Sequence, residues 1–163
     1  MMERLFSPWR SQYIQSFSKP GKADSACVLC SAYQEKKDDE NLIVRRATHC
    51  YVILNRYPYN SGHLMIVPYR HLASPVDLNA LESGEIMGLL QQMINALQSQ
   101  LHPDGFNIGA NVGRSAGAGI DQHIHFHLVP RWNGDTNFMP TLADTKIVSE
   151  DMRETLKKLR GTM

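Results

Sequence analysis

The sequence lacks a large excess of charge of either sign, and it lacks any long hydrophobic run. With 17 Lys and Arg against 16 Asp and Glu the net charge is +1, so no broad basic field favours nucleic acid, and an anionic ligand must be held locally. No apolar run approaches the roughly 20 residues of a membrane helix, and the N-terminal stretch MMERLFSPWRSQYI has no signal-peptide core. We therefore expect a cytoplasmic protein that binds neither nucleic acid nor membranes.

Cysteine is also scarce: the chain has three, which make a poor disulfide framework. Two of them, Cys27 and Cys30 in CVLC, have the spacing of zinc-binding pairs, and the same spacing occurs in redox pairs. His71 in PYRHL and His123 in DQHIHFHLV are further candidate ligands. Together the four side chains would form a closed Cys2His2 zinc site, which is structural because it leaves no position for water.

The chain length indicates a single domain. Its 163 residues can bury a hydrophobic core without disulfides. The stretch SKPGKADSA, residues 18–26, contains Pro, Gly and small polar residues and separates an N-terminal arm from the body. We expect one domain over residues 1–163, with an N-terminal arm at 1–26, a zinc-binding and catalytic core at 27–132, and a C-terminal extension and helix at 133–163.

Five short segments rich in apolar and β-branched residues are typical of strands: LIVRR, CYVILN, GHLMIVP, FNIGANV and HIHFHLV. Between the third and fourth, apolar residues recur at steps of three and four from Glu82 to Leu101, which predicts an amphipathic helix. The segment SEDMRETLKKLR predicts a final helix with Ser149 as its N-cap. This order of elements favours an α+β domain on a mostly antiparallel sheet.

Three histidines alternate with apolar residues in HIHFHLV. Alternate side chains of a strand share a face, so we expect His123, His125 and His127 on one exposed face, with the apolar residues between them in the core. The outer two would stand about 13 Å apart at the backbone, too far to share one metal ion easily. If His123 binds a metal, His125 and His127 remain for chemistry, in which imidazole serves as a nucleophile or as a general acid and base.

The loop NVGRSAGAG, residues 111–119, is rich in glycine. Its glycines allow backbone N–H groups to approach a ligand, and Asn111 and Ser115 add side-chain donors, which together suit an anion. The loop lacks the Gly-Lys-Ser/Thr ending of a P-loop and leads into a strand. A glycine-rich turn without function is the alternative, but the neighbouring histidines favour a phosphate site.

These segments together resemble the histidine-triad (HIT) superfamily of nucleotide hydrolases and transferases, and the resemblance covers most of the chain. HIHFHLV fits its His-φ-His-φ-His-φ-φ pattern, VILNRYPYNSGHLMIVPYRH resembles its nucleotide-binding hairpin, and FNIGANVGRSAGAGIDQHIHFHLVPRW resembles its phosphate loop and catalytic strand. The order of CxxC, hairpin, loop, triad and PRWNGDTNF is similar to a bacterial branch related to diadenosine tetraphosphate phosphorylases. The resemblance implies a HIT-like fold of about five antiparallel strands, one long helix and a C-terminal helix, and a homodimer with a joined sheet.

The resemblance also implies roles for individual residues. His125 would attack the α-phosphorus of a nucleotide, and His127 would contact the phosphate oxygens. The remaining assignments are Asn111 and the backbone from Gly117 to Gly119 for positioning the phosphates, Asn55 for the ribose, Ile53 for the base, and Cys27, Cys30, His71 and His123 for Zn²⁺.

One departure from the better-known hydrolases concerns the acceptor. This chain has Gly119 rather than Gln four residues before the triad, so Ser115 or Gln122 is the candidate donor to the leaving group, although Gln122 should face away from the triad. Water and inorganic phosphate both remain as acceptors. The expected activity is cleavage at the α-phosphate of a nucleotide or dinucleoside polyphosphate through a nucleotidyl-histidine. The alternatives are a nucleotide-binding or scaffolding protein with little turnover, and a metal or redox protein in which all three triad histidines bind metal.

Overall fold

A five-stranded antiparallel sheet lies at the centre of the computed structural model, which describes residues 27–135 and 150–162. Its strands are β1 (Ile43–Arg46), β2 (Cys50–Leu54), β3 (Leu64–Pro68), β4 (Gly105–Gly109) and β5 (Phe126–Arg131), in the order β1-β2-β3-β5-β4. Each neighbouring pair is antiparallel. The predicted α+β class and the five-stranded antiparallel sheet are confirmed. The expected N-terminal arm, 1–26, and residues 136–149 of the expected C-terminal extension and helix lie outside the described residues.

One long helix packs on one face of this sheet. The three described helices are α1 (Val28–Gln34), α2 (Ala80–Leu101) and α3 (Met152–Arg160). Helix α2 begins two residues before the predicted start, because Asn79 and Glu82 form a capping box there. Its apolar stripe packs against β2, β3 and β5 in a core that includes Val52, Ile66, Met93, Leu97 and Leu128. None of the described helices combines the length and the apolar character that a membrane crossing requires.

The cap of the C-terminal helix differs from the prediction. Asp151 is the N-cap of α3, and its side chain accepts hydrogen bonds from the backbone N–H groups of Arg153 and Glu154. The prediction of Ser149 as the N-cap was therefore wrong, and Ser149 itself lies outside the described residues. Either residue type suits the position, and the helix starts two residues later than the choice of Ser149 requires.

Helix α1, which follows Cys27, packs on the opposite face of the sheet. Leu29 lies in a second apolar cluster with Ile43, Tyr51, Ile53, Met65 and Val67. The buried Tyr51 hydroxyl donates a hydrogen bond to the Leu29 carbonyl over 2.7 Å. Strand β2 therefore holds the short segment between Cys27 and Cys30 directly against the sheet.

The catalytic strand predicted over HIHFHLV is shorter than expected. Strand β5 begins at Phe126, so His127 lies within it while His123 and His125 precede it. The ladder to β3 ends with the pair Ile66 and Phe126, near Pro68, which has no N–H to donate. The three histidines are also buried, with 0, 5 and 9% exposure for His123, His125 and His127, so the prediction of an exposed face was wrong. Four of their six ring nitrogens have hydrogen-bond contacts, and His125 and His127 line a cavity, as described below.

Candidate active site

The four predicted metal ligands come together between α1 and the segment that precedes β5. The ligand atoms of Cys27, Cys30, His71 and His123 all lie within 4.8 Å of one another. His123 Nδ1 is 3.4 Å from Cys27 Sγ and 3.5 Å from Cys30 Sγ, and His71 Nδ1 is 3.4 Å from Cys30 Sγ. With Zn–S of about 2.3 Å and Zn–N of about 2.0 to 2.1 Å, sulfur and nitrogen ligands of a tetrahedral ion lie about 3.6 Å apart. The cluster therefore fits a tetrahedral Cys2His2 site.

The ring of His123 is oriented as a metal ligand by its second nitrogen. His123 Nε2 is 2.9 Å from the carbonyl oxygen of Pro68, which can only accept, so Nε2 carries the proton and Nδ1 presents its lone pair to the sulfur atoms. Burial lowers the pKa of His123, which favours this neutral form. Pro68, which lies just beyond the last pair of the β3–β5 ladder, thus supplies the carbonyl that fixes the ring of His123.

His125 has its free lone pair on Nε2, whereas His123 has its lone pair on Nδ1. Its Nδ1 donates to the carbonyl oxygen of His123 over 2.8 Å, so the lone pair lies on Nε2. Burial lowers the pKa of His125, and the ring is neutral at pH 7. His125 lines a cavity of about 450 Å³, the histidine cavity, together with Asn55, Asn111, Gly117, Gly119 and His127, among others. A neutral imidazole with a lone pair at a cavity wall can act as a nucleophile.

His127 is connected to a fourth histidine that the sequence reasoning missed. The backbone N–H of Tyr59 donates to His63 Nδ1 over 3.0 Å, so the proton of neutral His63 lies on Nε2. His63 Nε2 is 2.9 Å from His127 Nδ1 and donates to it, which leaves the proton of His127 on Nε2. Among buried side-chain nitrogen and oxygen atoms in the described part of the chain, only this Nε2 has no hydrogen-bond partner. The fold thus supplies an unpaired donor beside the cavity.

Burial also keeps this pair of histidines neutral. Desolvation, with the nearby His127 and His125, lowers the pKa of His63 to about 3, and desolvation with the nearby His125 lowers that of His127 to about 4. The available signal for His63 was a polar residue at the start of the apolar run LMIVP. Its importance depends on the register that places Met65, two residues along the chain, opposite His127, and the sequence alone does not specify that register.

The glycine-rich loop runs along the same cavity. Gly117 has a φ of +91°, in the left-handed region that favours glycine, and Arg114 donates to Asp121 over 2.6 Å across the loop. Asn111, Gly117 and Gly119 line the histidine cavity. Ser115 lies in the short 3-10 turn Arg114–Ala116 with an exposed side chain, and it does not line that cavity.

The two residues predicted for the nucleoside lie beside a second cavity. Asn55 lines both the histidine cavity and a cavity of about 420 Å³ between α1 and the sheet, the α1 cavity. Ile53, which is 7% exposed, lines the α1 cavity with Leu29, Leu42 and others. Predicted base and ribose residues therefore adjoin the predicted nucleophile.

Comparisons with known proteins identify a family and several relatives. Residues 36–134 match the model of the HIT domain. The chain is 38% identical over 161 residues to the AP-4-A phosphorylase of Mycobacterium tuberculosis. The aligned residues make up 97% of this chain and 83% of that protein. It is 30% identical over 88 residues to the bis(5'-adenosyl)-triphosphatase of Saccharomyces cerevisiae, covering 53% of this chain and 42% of the relative.

The fold is also similar to solved structures. A crystal structure described as a Zn-bound histidine triad family protein from Mycobacterium smegmatis superposes with a TM-score of 0.68 at 26% identity. The similarity covers 84% of this chain and 92% of that one, and therefore includes most of the architecture described above.

Proposed function

The chain belongs to the HIT domain family, and from this premise we propose that it cleaves dinucleoside polyphosphates at an α-phosphate through a nucleotidyl-histidine on His125. The observation that carries the proposal is the hydrogen bond from His125 Nδ1 to the His123 carbonyl, which leaves the Nε2 lone pair for attack. The names of the Mycobacterium tuberculosis and Saccharomyces cerevisiae relatives support the substrate class.

In the first step, His125 Nε2 forms a bond to the α-phosphorus, and the bond from phosphorus to the bridging oxygen of the leaving nucleotide breaks. The ring of His125 becomes positively charged, and the His123 carbonyl at Nδ1 stabilises that charge. His127 Nε2–H donates to a phosphate oxygen, and Asn111 with the backbone from Gly117 to Gly119 provides further donors.

In the second step, an oxygen of water or of inorganic phosphate attacks the same phosphorus, and the bond to His125 breaks. Water releases a proton and yields a nucleoside monophosphate, whereas inorganic phosphate yields a nucleoside diphosphate. Asn55 holds the ribose and Ile53 lies at the base in this proposal. Ser115, predicted as a donor, would have to turn inward to contribute, because its side chain is exposed.

We also propose that the Cys27, Cys30, His71 and His123 cluster holds a structural zinc ion. Two thiolates and two imidazoles are a donor set that zinc prefers, and the solved Mycobacterium smegmatis relative is described as Zn-bound. When bound, zinc would cross-link α1 to the segment that precedes β5. Through the carbonyl of its own ligand His123, the site also orients His125.

A homodimer with a joined sheet is a further part of the proposal. Strand β4 is an outer strand of the sheet, with Asn107, Ile108 and Gly109 exposed, and exposed strand edges pair readily with another chain. Sedimentation equilibrium should give twice the chain mass of 18.4 kDa. A monomer mass across the micromolar range would refute the dimer.

The activity is tested by incubating the zinc-loaded protein with diadenosine tetraphosphate, with and without inorganic phosphate, and separating the products by chromatography. ADP with ATP identifies phosphorolysis, and AMP with ATP identifies hydrolysis at the α-phosphate. Nucleotide binding without turnover under both conditions would refute the enzyme and support the scaffolding alternative.

A further inference from the structure

A buried amide side chain links the loop before β3 to the end of β5. Asn60 is 7% exposed, and its Nδ2 donates to the carbonyl oxygen of Pro130 over 3.1 Å and to Asp135 Oδ2 over 2.7 Å. Both hydrogens of the amide are therefore used. The backbone carbonyl of Asn60 accepts a hydrogen bond from the N–H of His63 over 3.2 Å. Asn60 thus ties the β2–β3 loop, residues 55–63, to β5.

The carboxylate of Asp135 is a fixed anchor for this link. Its side chain is 8% exposed. Arg131 donates to both carboxylate oxygens, through Nε and Nη2, over 2.6 and 2.7 Å, and the backbone N–H of Trp132 donates over 3.1 Å. Charge-assisted bidentate pairs have a defined geometry. The end of β5 and the turn after it therefore set the position of the acceptor for Asn60.

The β2–β3 loop depends on this link because the regular strand pairing stops before it. The β3–β5 ladder ends at the pair Leu64 and Leu128, so within the described residues no strand pairing joins the loop to β5. Gly62 lies in the left-handed region at φ +73°, and a Cβ there would lie 2.7 Å from Leu101 Cδ1 and 3.3 Å from Pro130 Cγ. Close packing and the Asn60 side chain therefore hold the loop where the ladder has ended.

The β2–β3 loop in turn sets the proton positions on His63 and His127. The N–H of Tyr59, the residue before Asn60, donates to His63 Nδ1 over 3.0 Å, and the Asn55 amide makes a longer contact there at 3.4 Å. Without the Tyr59 N–H, His63 Nδ1 can carry the proton, and His63 Nε2 then accepts from His127 Nδ1–H. His127 then presents a lone pair at Nε2 instead of a proton. The direction of the hydrogen bond between the two rings therefore depends on the position of the loop.

We propose that Asn60 and Asp135 are positioning residues of the proposed active site. They hold the Tyr59 N–H against His63, and this contact keeps the proton of His127 on Nε2. That proton is needed to donate to a phosphate oxygen, because a neutral ring nitrogen without a proton can only accept. The expected effect on turnover rests on the proposed function, whereas the effect on the tautomers is independent of any substrate.

The tautomers are tested by nitrogen NMR of isotopically labelled, zinc-loaded protein at pH 7 without substrate. Ring nitrogens with and without a proton have distinct chemical shifts. In the wild type we expect the proton on Nε2 of both His63 and His127. Asn60→Ala should give each of these rings a mixture of tautomers. His125 is held by its own bond to the His123 carbonyl and should keep its proton on Nδ1.

Turnover of diadenosine tetraphosphate is the second readout. We expect Asn60→Ala to lower kcat about tenfold with little change in KM, as for other residues that orient a reacting group through a hydrogen bond. Asp135→Ala is a milder change that carries the same test, because it leaves the bond from Asn60 to Pro130 in place. Asp135→Asn keeps an acceptor for Asn60 and should recover part of the loss seen in Asp135→Ala.

Thr155→Val is the matched control for the loss of a buried polar contact. Thr155, on α3, is 1% exposed, and its hydroxyl donates to Glu150 over 2.9 Å. This variant should lower Tm and leave the tautomers and kcat unchanged. Unchanged tautomers in both Asn60→Ala and Asp135→Ala would overturn the positioning role, even if kcat falls. Mixed tautomers in these variants of a protein whose wild type has no turnover would support the tautomer control and overturn the proposed function instead.

Discussion

His125 and His127 lie two residues apart, yet their hydrogen bonds leave a lone pair on Nε2 of the first ring and a proton on Nε2 of the second. His125 Nδ1–H donates a hydrogen bond to the His123 carbonyl, which leaves the lone pair at Nε2. His127 accepts a hydrogen bond at Nδ1 from His63 Nε2–H and therefore keeps its own proton at Nε2. In the proposed mechanism one ring would attack phosphorus and the other would donate to its oxygens, so substitutions at the two positions should have different consequences.

Replacing His125 with Ala removes the proposed nucleophile. We expect His125→Ala to abolish turnover of diadenosine tetraphosphate while nucleotide binding, measured by titration calorimetry, persists, because Asn55 and the glycine loop are untouched. His49→Ala, which alters a histidine just before β2, is the matched control and should retain activity. Full activity in His125→Ala would contradict the mechanism.

His63 is fully buried and contacts His127, so in the proposed mechanism it would act on the substrate only through His127, as a positioning residue. His63→Leu removes the donor to His127, and we expect kcat to fall about ten- to a hundredfold with little change in KM, as for other outer-shell partners. His63→Gln offers an acceptor to Tyr59 N–H and a donor to His127, and should recover part of the loss. If His63→Leu raises KM and leaves kcat alone, the proposed tautomer control is wrong.

At the scale of secondary structure, α1 and β2 act together to build the metal cluster. Tyr51 on β2 donates to the Leu29 carbonyl within α1, and it packs on Tyr69 with ring centroids 5.6 Å apart. Two cysteines near the N-terminus of a seven-residue helix would not hold their positions alone. The sheet therefore prepares the cluster, and the ion would join it to the catalytic segment.

The metal content of Cys27→Ser tests this arrangement. Losing one thiolate ligand should lower the zinc content of purified protein and lower its Tm, because zinc binding to a folded site stabilises that fold. Mass spectrometry of the metal and thermal unfolding measure the two effects. The matched control is Cys50→Ser, a buried cysteine of the opposite core, which should keep its zinc whatever it does to stability. Unchanged zinc in Cys27→Ser would refute the ligand assignment.

At the scale of the whole molecule, the parts that follow local periodicity could be predicted and the parts set by tertiary contacts could not. The steps of three and four in α2 and the apolar runs of the strands locate those elements, and CxxC with His71 and His123 indicates the cluster. The burial of the triad, the start of β5 at Phe126 and the contact of His63 with His127 depend on strand register near Pro68. The histidine cavity likewise exists only once the glycine-rich loop and the histidines meet on the folded sheet.

Burying neutral histidines makes the stability of the whole molecule depend on pH. His63 has a pKa of about 3 in the folded chain and about 6.5 when unfolded, so below pH 6.5 the unfolded chain binds more protons. Stability from this residue is present above pH 6.5 and falls, by up to about 1.4 kcal/mol per pH unit, as the pH drops toward 3. His63→Gln keeps the hydrogen bonds without titrating, so urea unfolding of zinc-loaded protein should give it a shallower decline between pH 6.5 and 4.5 than wild type. Zinc release at low pH adds the same pH dependence of the unfolding free energy to both proteins. Equal slopes of the unfolding free energy against pH would therefore mean that His63 is not buried in its neutral form.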